Sequence, residues 1–323
     1  MSPYSYRYDK HVDTGWDTVR LSFTEAGQER AAAQIAPSMG SNLLSLQFDG
    51  QDYIYARPTG SPFTGTPVLY PTPNRVRDAQ FTFGGHTFKF IPNNGPNFIH
   101  GLVRDQPWEH TEPRITPESV SLTTHIAFAP GKPIYEFFPI RNTVEITFTL
   151  GPRSMRLDFT VRNQDERPLP FGLAIHPYFP VIGPRESVRL QVPAKKRMEA
   201  VNLLPTGRLI DLEGDPTDLR QPRSLAELNL DDVFWGMEPD KPAVIYYDQI
   251  GKKLILNASE LFTHAVVYTP QGKPFFCVEN QSCSTDAHNL HARGLTQEAH
   301  LTILEPGQAT QAWIEIALGD QIP

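Results

Sequence analysis

The chain has 323 residues and a net charge of −7, from 36 acidic against 29 basic residues, with 31 prolines and 22 glycines. The proline share is about twice the usual one and argues for many turns and few long helices. The acidic balance, with no long block of one sign, argues against sequence-independent nucleic-acid binding, and no apolar run approaches the ~20 residues of a membrane-spanning helix.

Alternation of apolar and polar residues recurs along the chain. Phe81 and Phe83, then Gly84-Gly85, then Phe88 and Phe90 predict a hairpin whose two-glycine turn supplies positive φ. Val120, Leu122, Thr124, Ile126 and Phe128 line one face of a strand. Val144, Ile146, Phe148 and Leu150 lead through Gly151-Pro152-Arg153-Ser154 into Met155, Leu157, Phe159 and Val161, a half-exposed antiparallel pair. Further strands are expected at 188–192, 243–247, 253–256, 265–268, 275–279, 300–304 and 311–318. Turn residues such as Pro270-Gln271-Gly272 and Glu305-Pro306-Gly307 separate them.

Residues 225–230 are the one weakly helical stretch, and no helix longer than two turns is expected. Many short strands without alternating helices predict an all-β fold, a large antiparallel β-sandwich, and no segment reads as a linker, so 1–323 is expected to be one domain. Cys277 and Cys283 are too few for a disulfide framework, and Met1-Ser2-Pro3-Tyr4-Ser5 is not a charged-then-apolar leader. A cytoplasmic protein is expected, with no membrane or nucleic-acid partner.

Three segments carry candidate chemistry. Phe275-Phe276-Cys277-Val278-Glu279-Asn280-Gln281 delivers one acid at the end of an apolar strand, and carboxylates are rarely buried without a partner or a task. His100 in Asn97-Phe98-Ile99-His100-Gly101 and His176 in Phe171-Gly172-Leu173-Ala174-Ile175-His176-Pro177 also stand where apolar runs meet Gly or Pro. A carboxylate with imidazoles suits proton transfer near neutral pH.

Strand parity puts Gly172, Ala174 and His176 on one face. Those small residues either leave room for a ligand or admit a bulky neighbour from another strand. Glu279 shares a face with Cys277, away from Phe276 and Val278; a half-solvated acid at a strand end is the plain alternative. Asn74, Arg75 and His100 in loop-rich surroundings suit a polyhydroxylated ligand, although Asn and Gly also serve turns for backbone reasons. In Asp231-Asp232-Val233-Phe234-Trp235, acids beside aromatics suit a hydroxyl acceptor next to a stacking surface. Phosphate-loop, nucleophile-elbow, paired-cysteine and His-Glu-x-x-His patterns are absent. Two imidazoles and a carboxylate also match metal-ligand types, so His100, His176 and Glu279 leave a metal open on residue type alone.

In order, Asn74-Arg75-Val76, the Asn93-Asn94-Gly95-Pro96-Asn97 run ending in His100-Gly101, and His176-Pro177-Tyr178-Phe179 resemble the aldose 1-epimerase (mutarotase) family. So do Asp231 three residues before Phe234, Cys277-Val278-Glu279-Asn280-Gln281 with Asp286-Ala287-His288-Asn289 after it, and Pro306-Gly307. The resemblance spans about residue 40 to the C-terminus. It implies a β-sandwich of the galactose-mutarotase type and catalysis without cofactor or metal. Glu279 would be the base at the anomeric hydroxyl and His176 the acid at the ring oxygen. Arg75, His100, Asp231 and Asn74 would hold the sugar, with Asp232 an alternative to Asp231.

The chain departs from the family where Tyr70-Pro71-Thr72-Pro73 precedes Asn74 and where Pro177 follows His176. Arg75, Arg77 and Arg104 keep a hexose-phosphate mutarotase open, and a non-catalytic carbohydrate-binding protein is the other alternative. A metal-dependent sugar isomerase is a further rival, whereas a glycosidase needs a second facing carboxylate. The expected partner is a small sugar, an aldose or a sugar phosphate, and the expected assembly a monomer or homodimer. Ordinary pKa values of about 4.3 and 6.5 for the carboxyl and imidazole predict a bell-shaped rate profile.

Overall fold

The structure, a computed structural model, describes residues 2–56 and 64–321. The expected alternating segments form a ten-stranded antiparallel sheet in which Val120–Phe128, Asn142–Leu150, Ser154–Asn163 and Ala309–Asp320 are successive neighbours. It continues through Lys252–Ala258, Ala243–Tyr247 and Val188–Gln191. Every second residue of Val120–Phe128 is buried, as the alternation requires. The Phe81 to Phe90 segment forms its hairpin from Gln80–Phe83 and His86–Lys89, with Gly84 and Gly85 at φ +57° and +77°.

A second, eight-stranded sheet carries Asp231 and Glu279 and flanks His176. Its strands in chain order, together with a small two-stranded ladder, are β1 (Val68–Leu69), β2 (Arg75–Val76), β3 (Phe98–Ile99), β4 (Ala174–Ile175), β5 (Tyr178–Pro180), β6 (Lys196–Val201), β7 (Leu204–Asp211), β8 (Asp231–Trp235), β9 (His264–Tyr268) and β10 (Phe275–Gln281). The sheet runs β7-β6-β8-β9-β10-β4-β1, with β5 also paired to β10, while β2 and β3 form the separate ladder. Phe234, Ala265, Val267, Phe276 and Val278 on one face share a core with Ile146, Phe148, Phe159 and Ile316 of the ten-stranded sheet. Each fully buried Val, Ile or Phe side chain among them contributes about 1.5–3 kcal/mol, which fixes that face inward. Residues of opposite parity in β8, β9 and β10 therefore face the other way.

Three features depart from the sequence reading. The N-terminal strands Tyr4–Lys10, Asp17–Glu25, Gln28–Ala36, Asn42–Phe48 and Gln51–Asp52 form a five-stranded sheet. Gln28–Ala36 carries Ala31-Ala32-Ala33 and is buried on both faces from Ala31 onward, so no alternation marks it. At 225–230 only a 3-10 turn forms, Leu225–Glu227, whereas a short helix α1 (Ala287–Ala292) follows β10. Among the described residues no helix is long and apolar enough to cross a membrane.

The third departure concerns 171–176, which is not one strand. Leu169–Phe171 pairs with Thr302–Leu304, and the chain then crosses to β4. A Cβ on Gly172 would lie 2.3 Å from Cys283 Sγ and 2.6 Å from Pro73 Cδ, so its smallness admits neighbours and opens no ligand space. Gly172→Ala is expected to lower stability by about 1–3 kcal/mol, the usual range for overpacking. Urea unfolding measures this, and an unchanged midpoint would contradict the close approach.

Candidate active site

Antiparallel register brings Glu279 and His176 together. Ala174 pairs with Gln281, and Tyr178 pairs with Cys277. Counting inward from both places His176 opposite Glu279, in the gap between β4 and β5. Across that gap His176 N–H donates to Pro67 O at 2.9 Å, and Tyr178 N–H to Gly65 O at 2.9 Å, so the backbone stays anchored on its other edge. Directly opposed residues are the closest cross-strand neighbours, and His176 Nε2 lies 3.2 Å from Glu279 Oε1.

Glu279 is not a half-solvated strand end. It lies inside β10 at 1 % exposure, with Val266 of β9 opposite it on the other edge. Its Oε2 accepts from Gln281 Nε2 at 3.0 Å. Burial pushes its pKa well above the ordinary carboxylate value, with Asp231 adding to the rise and Gln281 and Arg75 opposing it. Burial drives His176 the other way, to about 4, helped by the charge of Arg104. The 3.2 Å contact is thus between groups that burial drives toward neutrality rather than a fixed ion pair, and one proton distributed between Oε1 and Nε2 satisfies both.

The remaining sequence-selected residues converge on the same place. Asn74, Arg75, His100, His176, Asp231 and Glu279 line one cavity of about 150 Å³, with Ile99, Tyr178, Val266 and Tyr268 completing the wall. That is well below the ~300 Å³ at which drug-sized pockets begin, and it suits one small polar ring. Asp231 pairs across to Tyr268, which pairs to Cys277, so Asp231, Val266 and Glu279 share a sheet face. Asp232 has the opposite parity, and its Oδ1 lies 3.4 Å from Arg197 Nη1.

Arg75 is held by three acceptors. Its Nε donates to Asn94 Oδ1 at 3.1 Å and Nη1 to Asn74 Oδ1 at 3.2 Å, while Nη2 reaches Asp231 Oδ2 at 3.5 Å. Asn74 and His100 both have left-handed backbones, φ +55° and +71°, joined by His100 N–H donating to Asn74 O at 2.9 Å. Such conformations are uncommon outside glycine and cluster at ligand sites. The His100 ring meets that of His176 edge-on, centroids 5.0 Å apart. Burial lowers its pKa well below the ordinary value, with His176, Arg104 and Arg75 adding to the fall.

Two alternatives lose ground on geometry. Arg77 does not line the cavity; it faces a neighbouring cleft, with Nε 3.6 Å from Asp286 Oδ2, so Arg75, Arg77 and Arg104 do not form one phosphate cluster. Among the described residues no three His, Cys, Asp or Glu side chains are grouped to hold a metal ion. Sequence reasoning passed over Tyr178, Val266 and Tyr268. The turn at Pro270-Gln271-Gly272 was the available signal, since the hairpin it closes puts Val266 opposite Glu279.

A family model described as aldose 1-epimerase matches residues 25–317. The chain belongs to the aldose 1-epimerase family. It is 29 % identical over 173 residues to the galactose mutarotase of Sus scrofa, and 28 % identical over 220 residues to that of Bos taurus. These matches cover 51 % and 65 % of this chain, but only 48 % and 60 % of those curated relatives. The fold is shared with a galactose mutarotase-like protein of Clostridium acetobutylicum, at TM-score 0.85, 18 % identity and 99 % coverage of both chains. A putative aldose 1-epimerase of Escherichia coli K12 gives TM-score 0.75 and 19 % identity, covering 98 % of this chain and 99 % of that one. The expected galactose-mutarotase type of β-sandwich is therefore the one observed.

The buried carboxyl has a thermodynamic consequence in this family member. The native pKa of Glu279 lies above its unfolded value, so the unfolded chain ionises first as pH rises. Stability present below about pH 4 is then lost by up to about 1.4 kcal/mol per pH unit until the native group ionises too. Glu279→Gln escapes this loss and keeps an acceptor for Gln281. It is expected to melt above wild type at pH 8 and to match it near pH 4 in thermal scans; a pH-independent offset would contradict the assignment.

Proposed function

We propose that the chain is an aldose 1-epimerase that interconverts the α and β anomers of a free aldose without cofactor. The observation that carries this reading is the in-register pair, Glu279 Oε1 and His176 Nε2 at 3.2 Å, on the wall of a small polar cavity. Glu279 takes the proton from the anomeric O1–H. The O1 electrons form the C1=O bond as the C1–O5 bond breaks, and His176 delivers its Nε2 proton to O5. Rotation about C1–C2 turns the other carbonyl face toward O5. Closure then returns the O5 proton to His176 and the Glu279 proton to O1.

The pKa directions support these roles. Raising a carboxyl makes its anion a better base, and lowering an imidazolium makes it a stronger acid. Both shifts also thin the reactive form, in which the shared proton sits on His176, because the proton rests mainly on Glu279. Arg75 and Asn74 supply donors, Asp231 supplies an acceptor and His100 a neutral imidazole, a set suited to sugar hydroxyls. The separation of Arg77 from the cavity favours an unphosphorylated sugar.

Turnover requires the pair to hold one proton between them. Activity should fall below about pH 4, where His176 takes a second proton, and fall again above the raised pKa of Glu279, where the pair has none to give. The acid limb of the expected bell is thus set by His176 and the alkaline limb by Glu279, the reverse of the order that ordinary pKa values would give, and polarimetry of freshly dissolved α-aldose across pH measures it. Glu279→Gln should lose about 10²–10⁴ in kcat. Sugar binding with no acceleration of anomer exchange in wild type would instead identify a non-catalytic sugar-binding protein.

A further inference from the structure

Arg75 sits on a strand of two residues, and such a strand has little stiffness of its own. One edge of β2 is covered by β3, with Arg75 paired to Ile99 and Val76 to Phe98. Among the described residues no strand pairs with the other edge; Asp286 takes that place. The Asp286 N–H donates to Arg75 O at 2.8 Å, and Oδ1 of the same residue accepts from Arg77 N–H at 3.0 Å. One residue thus satisfies the carbonyl of position 75 and the amide of position 77, as a neighbouring strand would.

Asp286 is itself fixed. Its side chain is 1 % exposed, Asn289 Nδ2 donates to Oδ1 at 2.7 Å, and the same Nδ2 reaches Gln80 O at 3.0 Å. Its φ of +55° turns the chain out of β10 and into α1. Asp286 does not line the cavity that holds Arg75 and Glu279, so it has no direct contact to offer a sugar there.

We infer that Asp286 is a positioning residue for sugar binding, acting through the backbone of β2 to hold the Arg75 guanidinium between Asn74, Asn94 and Asp231. This rests on the reading of Arg75 as a sugar ligand. Asp286 lies seven residues after Glu279 in the chain. The segment that carries the base therefore also sets the arginine from the N-terminal half.

A double-mutant cycle on the full chain tests this, with KM and kcat measured by polarimetry. Asp286→Ala removes the acceptor for Arg77 N–H and is expected to raise KM about tenfold, equivalent to about 1.4 kcal/mol, with kcat within about twofold of wild type. In an Arg75→Ala background the same substitution should move KM by less than about twofold, because the two act as one unit. Asp286→Asn keeps the oxygen acceptor and should restore KM to near the wild-type value. Fully additive effects, a fall in kcat alone, or failure of Asp286→Asn to rescue would overturn the positioning role while leaving Arg75 a ligand. An unchanged KM in Arg75→Ala would overturn the ligand reading and this inference with it. Should Asp286→Ala not fold, Asn289→Ala loosens the same carboxylate and is expected to raise KM less, in the same direction; an unchanged KM there would overturn the inference.

Discussion

A carboxylate withdrawn from water in the middle of a sheet is the constraint around which this molecule is built. Phe276 and Val278 hold one face of β10 against the ten-stranded sheet, so Cys277 between them and Glu279 beyond them must face the other way. Desolvation then raises the basicity of the carboxyl, and the one amide from Gln281 offsets that only in part. The imidazole opposite is desolvated by the same walls and shifts in the reverse sense. Burial is the largest cause of both shifts, and the charges of Asp231 and Arg104 add to them.

The other polar groups of the cavity are placed differently. Asp231 stands on a regular strand two places away in the sheet, but Asn74, Arg75 and His100 come from short ladders and left-handed turns. Those turns stay in place because their backbone groups bond to each other and because Arg75 is surrounded by amide and carboxylate oxygens. A stiff sheet holds Glu279 opposite His176, while hydrogen-bonded loops supply most of the other polar groups of the cavity, the usual division between scaffold and loops.

Much of this could be read from residues. Alternation at 120–128 and 144–161 marked strands because each has one buried face and one less buried face. The two-glycine turn marked its hairpin because only positive φ closes it. Parity within β10 separated Glu279 from Phe276 and Val278. Parity failed at 171–176, where the chain changes sheet partners at Gly172, a crossing that has no local pattern. Of the five N-terminal strands, Gln28–Ala36 was invisible for a related reason, since Ala31-Ala32-Ala33 is buried on both sides and shows no contrast. The link from Asp286 to Arg77 spans most of the chain and leaves no periodic trace.

The opposition of residues 176 and 279 depends on counting, since Ala174 and Tyr178 flank one member as Gln281 and Cys277 flank the other. Adding or deleting one residue within either short stretch would turn its side chain to the far side of the sheet and leave a charged or polar group in the oily interior. The hairpin tips and surface loops are under no such rule. Length variation compatible with the fold is therefore confined to those connections, and the two opposed stretches can change in composition but not in number.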